Sequence, residues 1–136
     1  MVTPLGCGVD YNWDKLLKGV SGAGTITRYN TENSKCKVAC EVPLGSGNDG
    51  TFNPEDWIEK KEIKKIDDFI KYSLAATEES FKNSNLSIPN DPLSFKSGCI
   101  IGSGMGGLPG IEQTSIDYAE GKRISPFFIT GRIINM

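Results

Sequence analysis

The run Cys99-Ile-Ile-Gly-Ser-Gly-Met-Gly-Gly-Leu-Pro-Gly110 constrains this chain more than any other stretch. Glycine at this density marks a turn, because it carries too high an entropic cost inside a helix or strand. The apolar run Ser97–Gly102 enters the turn and a helical pattern over Ile111–Glu120 leaves it, so the sequence predicts strand, turn and helix. Gly102-x-Gly104-x-x-Gly107 also spells the fingerprint of a dinucleotide-binding turn. That site needs a second strand ending in an acid that grips the ribose. Glu120 lies at a plausible distance, yet it ends a helical segment and no apolar strand leads to it. Pro109 leaves little room for a regular helix packed on the turn, and no Lys-Ser/Thr pair completes a P-loop. Nucleotide binding is therefore the weakest functional class. Two readings of the glycines remain: they permit positive φ and tight packing, or they let backbone approach something bulky. In the second reading Met105, the one large soft side chain among them, suits a gate for an apolar ligand of variable length.

Elsewhere the pattern alternates helices with irregular stretches. Asp10–Val20 carries Trp13, Leu16, Leu17 and Val20 at helical spacing and stops at Ser21-Gly22. Residues 22–51 read as an irregular loop with a small ribbon, Thr25–Arg28 and Lys37–Val42. Asn53-Pro54 opens a short helix, with Asn at the cap and Pro in the first turn. The longest helical pattern runs from Lys60 to Lys82, with Ile63, Ile66, Ile70 and Leu74 on one face, and ends at Asn83-Ser84-Asn85. Pro89 and Pro92 mark a loop, and a further element starts at Ile124-Ser-Pro-Phe-Phe.

Several chemistries drop out on composition. The 136 residues contain no histidine, which removes Ser-His and Cys-His catalysis and histidine metal ligation from this chain. A formal charge of −2 gives no overall bias toward nucleic acid. No apolar run approaches the ~20 residues a membrane helix needs. Cys7, Cys36, Cys40 and Cys99 read as free buried thiols in a reducing, cytoplasmic setting, with neither metal nor disulfide assigned to them. Lys60, Lys61, Lys64 and Lys65 crowd one helix start, where cations oppose the macrodipole and one another. Lys61, Lys64 and Lys65 project away from Ile63, Ile66 and Ile70. The pattern suits either a solvated face or a field aimed at an acidic partner.

Five segments in order resemble the beta-ketoacyl-acyl carrier protein synthases, most of all the synthase II type. They are Val2-Thr-Pro-Leu-Gly, Trp13-Asp-Lys-Leu-Leu-Lys-Gly, Ile66-Asp-Asp-Phe-Ile-Lys-Tyr, Ile101-Gly-Ser-Gly-Met-Gly-Gly-Leu and Ile124-Ser-Pro-Phe-Phe. The resemblance implies an α/β chain. Residues 1–136 would form part of the N-terminal half of a thiolase-like layered fold, a mixed sheet with helices, with the first strand and the nucleophile region missing. It also implies an acyltransferase of fatty-acid synthesis. An acyl chain passes from its carrier to an enzyme cysteine, malonyl-carrier loses carbon dioxide, and the carbanion attacks the thioester. The family's cysteine and two histidines would lie beyond Met136, so no catalytic residue is expected here, and Cys99 does not match the nucleophile.

By the same resemblance Gly104 and Met105 gate the acyl tunnel, and Phe128 reaches the tunnel of a neighbouring subunit. Lys61, Lys64 and Lys65, with Lys122 and Arg123, match positions that dock the acyl carrier protein. The implied protein is a cytoplasmic homodimer with no cofactor of its own, since phosphopantetheine arrives on the carrier. Neither nucleic acid nor membrane is an expected partner. The alternative is a non-enzymatic module that binds an acidic partner through its lysines.

Overall fold

The computed structural model describes residues 1–86 and 94–134. The chain divides into two compact units, Met1–Asp56 and Trp57–Met136.

The first unit opens with a tight antiparallel hairpin. Strand β1 (Val2–Thr3) pairs with β2 (Gly6–Cys7), Val2 opposite Cys7 and Thr3 opposite Gly6. Helix α1 follows over Val9–Leu17. Asn12 joins the two and is fully buried. Its amide nitrogen donates to the carbonyls of Gly6 at 3.0 Å and Gly8 at 2.6 Å, and its oxygen accepts from the Thr3 hydroxyl. The helix is shorter than the predicted Asp10–Val20, because Gly19 turns left-handed at φ 65°. The apolar stripe of the prediction lies outward: Trp13, Leu16, Leu17 and Val20 are all exposed. A polar side chain, not the stripe, seats α1.

The ribbon is real but shorter than predicted. Strand β3 (Gly24–Thr25) pairs antiparallel with β4 (Val38–Ala39). Beyond this pair a side chain takes over from the ladder. The Glu41 carboxylate accepts from the Thr27 hydroxyl at 2.7 Å, the Thr27 N–H at 3.2 Å and the Arg28 N–H at 3.4 Å. The Thr27 hydroxyl, followed by the backbone donors and Arg28, holds the Glu41 pKa below its ordinary 4.5. A depressed carboxylate stabilises the folded state above its unfolded pKa, and that contribution is lost as pH falls through the folded value. Glu41→Gln is therefore expected to flatten the acid limb of stability below about pH 4.5. An unchanged acid limb in pH-dependent unfolding would show that the ribbon does not depend on this carboxylate. Further on, the Asn53 side chain accepts from the Glu55 N–H at 3.2 Å and starts a 3-10 turn over Pro54–Asp56, at the predicted place.

In the second unit the long predicted helix breaks. Helix α2 covers only Lys60–Ile63, and helix α3 runs Asp68–Ser84. Between them the Lys65 N–H bonds back to the Glu62 carbonyl at 2.9 Å, which tightens the turn. Asp67 is extended at φ −81°, ψ 169°, and its N–H leaves the helical ladder for the Gly131 carbonyl at 3.0 Å. The break is short, so Ile63, Ile66, Phe69 and Ile70 still reach half-buried positions. Leu74 is exposed, and its neighbour Ala75 is the buried residue of α3. Helix α3 ends on Asn85 in the left-handed conformation, within the predicted stop. Pro89 and Pro92 lie outside the described residues.

Ser97–Gly102 is not a strand. A strand needs a facing row of N–H and C=O groups, and none of the described residues supplies one here. Ile100 is consequently fully exposed. Cys99 in this run is exposed, and Cys36 and Cys40 are exposed too, while Cys7 is half-buried. The four thiols are free as predicted, but they are not buried.

Helix α4 spans Leu108–Ala119, starting earlier than predicted, with Pro109 in its first turn. Proline is well placed there because its missing N–H would have no helical acceptor. Pro109 thus starts the helix rather than crowding it out. Helix α5 (Phe128–Arg132) packs on α4. No described helix is long and apolar enough to cross a membrane.

Candidate functional site

The glycine turn has two unlike halves. At Gly102 and Gly104 an added Cβ would meet open space, and Met105 beside them is 72% exposed. From Gly106 onward the packing is close. Gly106 has φ +69°, and a Cβ on it would lie 2.8 Å from the Arg132 carbonyl. Gly107 is buried, and a Cβ there would fall on the Asp67 carboxylate. At Gly110 it would fall on the Arg132 guanidinium and the same carboxylate. Positive φ and tight packing therefore explain the second half, whereas the first half is an open shelf.

Three segments converge on that packed half. Asp67 comes from the linker before α3, Gly107 and Gly110 from the turn and the start of α4, and Gly131 and Arg132 from the end of α5. Arg132 Nε faces Asp67 Oδ2 at 3.5 Å, each side chain about one-fifth exposed. The guanidinium Nη1 donates to the carbonyls of Lys65 at 3.3 Å and Gly131 at 3.1 Å. The Gly107 N–H donates to the Arg132 carbonyl at 2.8 Å. Burial pushes the Asp67 carboxyl above its ordinary value, and the opposing pull of Arg132 does not cancel it.

The predicted docking cations differ in their freedom. Lys61 is exposed and pairs with exposed Glu59 at 2.7 Å. Lys64 is exposed as well. Lys65 is drawn inward, bonded to Glu62 at 2.7 Å and 4.7 Å above the Phe127 ring. Lys122 sits between Asp117 at 2.8 Å and Glu120 at 2.9 Å, and the hydrogen bond that it donates to Asp117 leads in raising its pKa. Arg123 is exposed. Of the predicted tunnel residues, Phe128 is half-buried at the start of α5. A separate groove of about 750 Å³ runs between α3 and Lys96–Ile101, with Tyr72, Ala76, Phe81 and Cys99 on its walls. Gly104, Met105 and Phe128 do not line it.

Asp67, Gly131 and Arg132 were not picked out from the sequence. The available signal was Asp67-Asp68 inside a long helical pattern, since aspartate at the cap and first turn marks a new helix start.

The family model described as beta-ketoacyl synthase, N-terminal domain, matches residues 1–136, the whole of the chain. This chain belongs to the beta-ketoacyl synthase family. It is 43% identical over 138 residues to the 3-oxoacyl-[acyl-carrier-protein] synthase 2 of Rhizobium meliloti (strain 1021), covering 100% of this chain and 33% of that protein. The synthase 2 of Coxiella burnetii (strain RSA 493 / Nine Mile phase I) is 36% identical over 138 residues, covering 100% and 31%. Among solved structures, the ishigamide ketosynthase/chain length factor superposes with a TM-score of 0.69 at 25% identity, over 97% of this chain and 31% of that one. The fold is α/β and of the thiolase-like ketosynthase kind. The chain spans about a third of the length of these ketoacyl-synthase relatives.

Proposed function

We propose that this chain is the N-terminal part of a 3-oxoacyl-[acyl-carrier-protein] synthase 2. The whole protein would join an acyl-enzyme thioester to malonyl-carrier with loss of carbon dioxide. The observation that carries this reading is the match of the family over all 136 residues, with 43% identity to a synthase 2 across the full chain. The 136 residues hold no histidine, so the histidine chemistry belongs to the rest of the protein. This part contributes binding surfaces. In the proposed roles, Gly104, Met105 and Phe128 border the acyl passage, with Phe128 reaching across a homodimer. The open shelf at Gly102–Met105 supports this, since it leaves room for a chain to pass and a thioether to flex over it. Each methylene taken out of water there is worth about 0.8 kcal/mol, enough to sort acyl chains by length.

Lys61, Lys64, Lys65, Lys122 and Arg123 form the docking surface for the acidic acyl carrier protein, which brings the phosphopantetheine. Within that set the exposed Lys61 and Lys64 carry most of the docking charge, while Lys65 is committed to Glu62 and Phe127. The setting is cytoplasmic, in keeping with free thiols on the surface.

The test uses the full-length protein with acyl-carrier and malonyl-carrier. Condensation is expected from the parent. Lys61→Glu with Lys64→Glu should raise KM for acyl-carrier roughly tenfold, leave kcat nearly unchanged, and steepen with falling salt. No condensation by the parent would remove the assignment. An unmoved KM in the variant would remove the docking surface.

A further inference from the structure

We propose that Asp67 and Arg132 are positioning residues for the acyl passage: their paired charges fix the glycine turn that carries Met105 against the helix that begins with Phe128. The proposal rests on the reading of Met105 and Phe128 given above. It starts from where the pair sits. The linker before α3, the start of α4 and the end of α5 meet at these two side chains. At each of Gly107, Gly110 and Gly131 the space of a Cβ is already taken, by Asp67, by Arg132 with Asp67, and by the Lys65 carbonyl respectively.

Backbone bonds repeat the pattern. The Asp67 N–H donates to the Gly131 carbonyl at 3.0 Å, and the Gly107 N–H donates to the Arg132 carbonyl at 2.8 Å. Arg132 adds a bond to the Lys65 carbonyl. Both ends of the pair are thereby tied to the segments that border the passage.

The geometry then reaches the two site residues. Met105 adjoins Gly106, and a Cβ on Gly106 would meet Arg132 backbone, so the open shelf is held from its packed side. Phe128 and Arg132 are four residues apart on α5, which puts them on one helix face a turn apart. A shift of Arg132 therefore moves Met105 at this chain's own passage and Phe128 where it reaches that of the neighbouring subunit. A charge pair suits this task better than it suits stability. A well-packed apolar pair of the same volume would spare the desolvation cost, whereas a guanidinium and a carboxylate impose a separation and a direction.

The experiment measures kcat/KM of the full-length synthase for a short and a long acyl-carrier, with Asp67→Asn, Arg132→Gln and the double variant. Each single change is expected to move the long-to-short ratio about fivefold or more, with the double no worse than either single, as coupled residues behave. Arg132→Lys should restore part of the ratio by keeping the charge. Ratios that stay at the parent value in folded single variants would overturn the proposal. So would an equal loss for both chain lengths, the mark of a merely structural role. If Asp67→Asn does not fold, Arg132→Lys against Arg132→Gln decides: equal ratios would overturn the proposal. Met105→Phe tests the underlying reading separately, because an unaltered chain-length profile there removes the passage itself.

Discussion

Gly131→Ala is expected to destabilise the protein by about 2–4 kcal/mol, the sum of an overpacking strain and a lost buried hydrogen bond. The Gly131 residue is buried, and its missing Cβ would strike the Lys65 carbonyl oxygen, with the Lys65 carbonyl carbon at 3.1 Å and Ile66 Cα at 3.5 Å. These are backbone atoms and cannot swing aside as a side-chain tip would. Helix α5 must lift off the linker instead. That movement breaks the bond from the Asp67 N–H and the bond from Arg132 to Lys65. Gly102→Ala is the matched control, since a methyl there meets open space and should cost within about 0.5 kcal/mol. Denaturant unfolding of the full-length protein compares the two. Equal midpoints would show that α5 is not seated on the linker as described.

Asn12→Ala should cost about 2–4 kcal/mol, because it strips partners from the buried Gly6 carbonyl and from the half-buried Gly8 carbonyl and Thr3 hydroxyl. The Asn12 side chain is wholly buried and bridges Thr3, Gly6 and Gly8, so the hairpin and α1 lose their shared anchor. Asn12→Asp separates hydrogen bonding from packing. It keeps the acceptor for the Thr3 hydroxyl but turns an oxygen toward two carbonyls. A buried carboxylate that faces two carbonyls has a folded pKa raised above its unfolded ~3.9. The penalty is absent below the unfolded pKa and grows as pH rises through the folded one. Asn12→Asp should therefore be worst near neutral pH and recover toward pH 4. Amide exchange in Gly6–Asn12 reads the effect locally. Protection that is equal at both pH values would mean that the site reaches solvent.

How far the sequence could be read depended on the kind of signal. Some stop and start residues were reliable: Asn85 ends α3 and Asn53 with Pro54 opens a turn, because each acts through its own backbone preference, whereas α1 ends before Gly19 and not at the expected Ser21-Gly22. Periodicity misled where no neighbour decided the outcome. Trp13, Leu16 and Leu17 have the spacing of a buried stripe, yet α1 is held by Asn12 instead. The pattern from Lys60 to Lys82 is continuous, but Asp67 gives its N–H to Gly131, which is 64 residues away and invisible to any local window. Among the proposed docking cations, exposure separated Lys61 and Lys64 from Lys65, whose ammonium a ring and a carboxylate had already claimed.

The sequence by itself determined the family, the glycine turn, the C-terminal ends of α3 and α4 and the absence of histidine chemistry from these residues, since all of these are written in residue types and short spacings. Tertiary structure alone decided which glycines are obligatory, where the long helix breaks, and that Asp67 meets Arg132. The reason is physical: close packing and charge pairing depend on atoms brought together from distant parts of the chain, and no local preference encodes which ones will meet.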